Sequence, residues 1–441
     1  MLFLGFSVNF WHVADQQWFV DYQHDTEAMI LGRLVKSRQD GVFSHGGLPG
    51  YGLLPTETDW SLEYQYAAYL DGLPFHSYSE YRSQIGGQGI LFSVLDRLIP
   101  LSAHDKLRFF YVFTALLSAL SVTAIVMWFH LEFGLLVALC VVMSSVLSQW
   151  LVVFGRNLWW SIWAFYVPMV AVMFYLRRNS PCTDRPHASF ATIAFVAIFI
   201  KCLINGYEYI TTTLIMMMVP FVYYSLRDEA DFRQWLKGSL ALAVGSGAAI
   251  LLSVSVLCLQ IAAVTGRPLD GVSHVLYAFG KRTYGSAENF PADYSESLKA
   301  STVQVVIGYV ARTSVRGTSN RGAYFDVNNF LNTSPEFRAR ERYRIRYLYL
   351  LCLFALATGV VYARQRVHGF GVERRRAVAL MWAAWFSILA PLSWFIVFKA
   401  HSYIHQHMNY VVWQMPFTMF GAAVCGLAAR SSVGFLARRI R

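Results

Sequence analysis

Carboxylates, histidines and one lysine stand at the edges of long apolar runs in this sequence, and these are the residue types that move protons and hold phosphate. The segment HDTE places Asp25 and Glu27 two residues apart, ahead of Ile30, Leu31, Leu34 and Val35 at helical spacing. On a surface helix from Asp25 to Asp40, with Arg33 and Lys36 opposite the apolar stripe, both carboxylates sit just above lipid. Asp25 as N-cap and Glu27 in the first turn would also satisfy a helix start with no chemistry at all. Capping needs only one acid, however, and leaves Asp21 and the nearby His45, Gly46 and Gly47 without a role.

Lys201 lies about a turn inside an apolar run, where an unpaired charge costs about 2.5 to 3.5 kcal/mol at a helix centre and less near the interface. The turn after it, NGYEY, sets Glu208 between Tyr207 and Tyr209. Lys201 and Glu208 either pair with each other or, with Tyr209, meet a sugar or phosphate. In KAHSYIHQHMNY (399–410), helical spacing puts His401 and His405 on one side, as a two-histidine metal site requires. No HExxH pattern or following carboxylate accompanies them, so contact with a headgroup or phosphate-linked sugar and plain packing stay open. FRARERYRIR (337–346) brings Arg338, Arg342 and Arg346 to one helical face, suited to lipid headgroups or to a lipid-linked phosphate. GGLPGYG (46–52) lacks a phosphate-loop lysine and reads as a turn.

Elements that position these residues follow from composition. The 441 residues are 56% hydrophobic and 14% charged, with mean hydropathy +0.40. These values exclude disorder, collagen and a small disulfide scaffold and place the chain in a bilayer. A net charge of +11 suits nucleic acid at first sight, but the cations cluster between apolar runs, so no nucleic-acid partner is expected. Nine runs approach the ~20 residues a span needs: 109–129, 133–154, 158–176, 190–203, 210–224, 240–264, 347–362, 377–398 and 411–427. Met1–Val13 reads as a truncated first span. The fold class is therefore an all-α polytopic membrane protein with about ten transmembrane helices.

Alternate threading puts 177–189, 226–238, 363–376 and 428–441, with 15 lysines and arginines, on one face, which is assigned to the cytosol. The opposite turns carry only Arg156 and Lys399. Segments 14–106 and 265–346 become two large outer loops, which divides the chain into a module 1–264, the loop 265–346 and C-terminal spans 347–441. No outer disulfide is expected among the six cysteines.

An outer first loop with two surface helices (Asp25–Asp40 and Gly87–Ile99), an acidic motif soon after the first span and about ten spans resembles the GT-C fold membrane glycosyltransferases. The matching residues are Asp25 and Glu27 in HDTE, with YRSQIGGQG (Tyr81–Gly89), and through it Gln88, as a second element. Asp-Thr-Glu spacing departs from the adjacent acids of many members. The resemblance implies inverting transfer of a sugar from a polyprenyl-phosphate donor to a glycan or lipid-linked acceptor, at the periplasmic face of a bacterial plasma membrane. It makes Asp25 the base, with Glu27 the next candidate. Lys201, Glu208, Tyr209, His401, His405, Arg338, Arg342 and Gln88 are assigned to substrate. No cofactor or metal ligand is assigned, though a metal ion or side-chain cations must stabilise the leaving phosphate. A transporter or flippase, or another lipid-dependent enzyme such as a glycan polymerase or acyltransferase, is the rival reading. In a background without native cysteines, an impermeant thiol reagent should label Asp59→Cys from outside and spare Arg374→Cys; the reverse pattern overturns the orientation.

Overall fold

The structure, a computed structural model, describes residues 1–53, 61–181, 187–311, 323–326, 344–368 and 371–439. These are mostly helical, with two antiparallel two-stranded ribbons, Gly50–Leu53 against Ser77–Glu80 and Ala323–Asp326 against Arg344–Arg346. Among the described residues seven helices are long and apolar enough to cross a membrane: Ala103–Phe133, Ala188–Asn205, Ile210–Arg227, Phe232–Thr265, Tyr347–Arg366, Gly371–Val397 and Tyr410–Ser432. The chain is thus an all-α, multi-pass membrane protein.

Seven, against about ten expected, has a local cause. Gly134, at φ 90°, ends the helix Ala103–Phe133, and the next apolar run is split into Leu135–Val146 and Gln149–Phe154. Ser148 makes the break by accepting the Leu151 N–H with its hydroxyl. The following helix, Ile162–Arg178, has 17 residues. These legs are shorter than the seven long helices, and Ile162–Arg178 runs from the Asn157 turn to Arg177 beside Glu132. The first helix, Leu2–Val8, has seven residues and packs beside Ala103–Phe133.

One end is arginine-rich, with one buried acid at its centre. Glu132 is buried and receives Arg177 at 2.5 Å, Arg227 at 3.2 Å and the Tyr223 hydroxyl at 2.9 Å. Arg430 donates to the Phe133 carbonyl at 3.0 Å, and Arg375 reaches Glu229 at 3.0 Å. The segments that the charge pattern assigns to one face therefore do share an end. Between the ends, small residues set the helix spacing: a Cβ on Gly245 would meet the Ala191 carbonyl at 2.2 Å, so His187–Asn205 lies almost backbone to backbone on Phe232–Thr265.

At the other end a polar layer caps the bundle. Its central helix, Gln16–Asp40, begins nine residues before Asp25, so Asp25 is interior to the helix and the capping account of it is excluded. Ile30, Leu31, Leu34 and Val35 are buried as their spacing predicts, but so is Arg33, which was placed on the solvent side. The Arg33 fork donates to the Ser44 carbonyl at 2.6 Å, the Gly41 carbonyl at 2.9 Å and the Ser44 hydroxyl at 2.8 Å. It closes the turn that carries His45, Gly46 and Gly47. The helix does not lie on lipid along its length; Leu62–Asp71, Gly87–Leu98 and the first ribbon enclose it. Asp96 ties these helices together, taking both arms of the Arg38 guanidinium at 2.7 and 2.8 Å and the Tyr69 hydroxyl at 2.8 Å. Burial raises this carboxyl, but the Arg38 fork outweighs it and holds Asp96 below the usual carboxylate range. GGLPGYG forms the 3₁₀ turn Ser44–Gly47 and then leads into the strand Gly50–Leu53.

Removing one partner of a buried ion network leaves charges uncompensated, at a cost of about 3 kcal/mol or more. Glu132→Ala is expected to lower the thermal unfolding midpoint in detergent far more than Glu373→Ala, whose carboxylate is exposed; equal midpoints would remove Glu132 from this role.

Candidate functional site

A cavity of about 260 Å³ opens at the polar-capped end, lined by residues from six separate stretches of chain. Thr26 and Met29 come from Gln16–Asp40, Tyr81 and Ser83 from the YRSQIGGQG element, Trp159 and Trp160 from a short turn, and Glu208 from NGYEY. Lys281, Arg282 and Tyr294 come from the segment after Phe232–Thr265, and His401, Ile404, His405 and Met408 from the histidine turn.

Glu208 is the acid of this cavity among the described lining residues, and several constraints aim it there. Lys201, completely buried, donates to the Gly206 carbonyl at 2.8 Å and the Glu208 carbonyl at 2.6 Å. The lysine thus neither pairs with the Glu208 carboxylate nor lines the cavity; its charge is spent on holding the turn. Gly206, at φ 55°, packs so closely on Gln84 that a Cβ would lie 2.4 Å from the Gln84 Cβ, which locks NGYEY against the YRSQIGGQG element. Asn205 exchanges hydrogen bonds with the Ser161 backbone at 3.1 and 2.8 Å. Asn157 accepts the N–H groups of Trp159 and Trp160 at 2.9 and 2.7 Å. The two indoles and the acid are therefore fixed relative to one another.

The Glu208 carboxylate is 9% exposed, and its Oε1 lies 3.4 Å from the Arg282 guanidinium. Its Oε2 has no hydrogen-bond partner among the described residues and stands 3.8 Å from His401 Nε2, too far for a hydrogen bond. Arg282 also donates to the Tyr81 hydroxyl at 3.0 Å. The His401 and His405 rings lie 4.5 Å apart, centre to centre, and His401 meets the Trp394 edge at 5.6 Å. Tyr209, at φ 51°, stacks on Trp160 at 5.5 Å and donates to Asn409 Oδ1 at 3.1 Å. It shapes the wall and does not line the cavity. Among the described residues no three His, Cys, Asp or Glu side chains converge as a metal-holding group.

The other candidates fall as follows. Asp25 is in the helix one residue before Thr26, and its side chain is outside the described residues. Glu27 is fully buried and does not line the cavity. Its carboxylate accepts the Leu158 N–H at 2.8 Å, the Tyr111 hydroxyl at 2.9 Å and the Tyr66 hydroxyl at 3.3 Å. Gln88 is buried away from the cavity, and neither amide atom has a hydrogen-bond partner among the described residues. Arg338 and Arg342 lie outside the described residues; Arg346 is exposed on a strand.

Glu208, His401 and His405, far apart in sequence, are brought together. Arg282, Lys281, Trp159 and Trp160 are additions that spacing alone did not single out. The one signal for Arg282 is its position at the end of Asp270–Arg282, where Val272, Leu276 and Phe279 form an exposed apolar stripe leading to two cations. No protein-family model, curated protein or solved structure matches this chain.

Burial pushes the Glu27 carboxyl from its ordinary 4.5 to about 8, against the opposing Leu158, Tyr111, Arg156 and Tyr66 contacts. The folded chain therefore binds this proton more tightly than the unfolded one. The resulting stability is complete below about 4.5 and is lost as pH rises toward 8. Unfolding midpoints of the wild type should fall with pH across that window, and Glu27→Gln should flatten the slope; parallel slopes would show that Glu27 is not its source.

Proposed function

We propose that this protein is an inverting glycosyltransferase of GT-C-like layout, with about ten spans and two large extracytoplasmic loops. It would take a sugar from a polyprenyl-phosphate donor and pass it to a glycan or lipid-linked acceptor at the periplasmic side of a bacterial plasma membrane. The observation that carries the reading is the cavity itself. A buried carboxylate, two cations, two histidines and two indoles converge at the polar-capped end of an apolar bundle, where a membrane-held donor would present its phosphate and sugar.

Each group has work in such a reaction. Arg282 and Lys281 supply positive charge where the phosphate departs already anionic, so no general acid is required. Trp159 and Trp160 offer flat apolar faces for a sugar ring. The acceptor hydroxyl must lose its proton to a carboxylate as it attacks C1; the resemblance nominates Asp25, beside Thr26 on the cavity wall. The apolar stripe of Asp270–Arg282 gives an isoprenoid tail a lateral approach. A transporter would place its ionisable groups near the bilayer midplane in matched halves, whereas the buried charges here gather at the two ends.

The protein in nanodiscs, given undecaprenyl phosphate carrying a radiolabelled hexose and a bacterial membrane glycan extract, is expected to move label to the extract and release undecaprenyl phosphate. Arg282→Ala should slow this by roughly a hundredfold. EDTA should change little, because side-chain cations face the phosphate. Label carried across a vesicle membrane without transfer would replace the reading with transport.

A further inference from the structure

We propose that Glu208, not the first-loop acid, is the catalytic base, and that His401 is the group that receives the proton from it. This rests on the glycosyl-transfer reading of the same cavity.

Geometry distinguishes the two oxygens of Glu208. Oε1 is turned to Arg282 at 3.4 Å, while Oε2 is buried, without a hydrogen-bond partner among the described residues. A buried carboxylate oxygen left without a donor is costly, and a donor that arrives in the cavity would complete it. An acceptor hydroxyl is such a donor. In the step, the acceptor O–H gives its proton to Oε2 as its oxygen forms the bond to C1. The C1–O bond to phosphate breaks, and its electron pair leaves on the polyprenyl phosphate beside Arg282 and Lys281. Atoms and charge balance with no further reactant.

His401 Nε2 stands 3.8 Å from Oε2, just outside hydrogen-bond range and close enough to take the proton onward after a small movement. The turn around it is built to hold that position. Trp394 packs on the ring, and the Asn409 amide, held by Tyr209, donates to the His401 carbonyl at 3.5 Å. Behind the acid, Lys201 is the positioning residue. Its two bonds to the carbonyls of Gly206 and Glu208 fix the backbone from which the carboxylate projects.

The test uses the full-length protein in nanodiscs with the undecaprenyl-phosphate hexose and glycan extract named above. Glu208→Gln keeps size and shape and should lose transfer by about a hundredfold or more, as removal of a general base does. It should retain donor binding, measured by co-purification of labelled donor. His401→Gln should slow transfer by a smaller factor, and Lys201→Met should reduce kcat with KM nearly unchanged while Lys201→Arg restores part of it. Retained turnover in Glu208→Gln, with loss in Asp25→Asn, would overturn the inference and leave glycosyl transfer standing. A folded wild type inert toward every labelled hexose would overturn the transfer reading itself.

Discussion

A charge placed in hydrocarbon must find its partner within the protein, because no solvent is there to supply one. That constraint explains where this molecule keeps its buried ions. Glu132 sits at one end with Arg177 and Arg227; Lys201 and Lys399 sit at the other, each donating to two backbone carbonyls. The middle is left to small residues and aromatic rings. With its principal charges tied at the ends, the bundle forms the floor on which a polar cap is assembled.

The cap depends on lysines and arginines acting as braces. Arg33 closes the turn Gly41–Leu48, and Lys399 donates to the carbonyls of Leu298 and Ala300 at 2.8 and 2.7 Å. Lys201 does the same for Gly206 and Glu208. Each cation satisfies carbonyls that a loop would otherwise bury unpaired, which is how irregular chain is held firmly enough to set distances in a cavity.

Much of the bundle is legible in hydropathy, because a span must be continuous and apolar. Arginine clusters reveal which loops share an end for the same reason. What hydropathy misses is polar chain that nevertheless continues a helix: Gln16–His24 has no apolar stripe, so the helix seems to begin at Asp25. The break at Ser148 is missed because the run 133–154 reads as one continuous apolar stretch despite its serines. In the site, Glu208, His401 and His405 stand out as polar residues at the ends of apolar runs. Arg282 and the Trp159–Trp160 pair do not, because their meaning arises only when distant loops meet. Lys201 is found for the right reason, a costly charge, although its partners are carbonyls, which no side-chain pattern encodes.

The helix Phe232–Thr265 has 34 residues and is about 50 Å long, well beyond a hydrocarbon core of about 30 Å. Its far end is not idle: Gln260 donates to the carbonyls of Gly46 and Ile85 at 2.8 and 3.2 Å. One stiff rod is thus rooted in lipid and fastened to the cap's turns. The helix and the turns of the cap are thereby joined into one piece, so a displacement of its far end carries Gly46 and Ile85 with it.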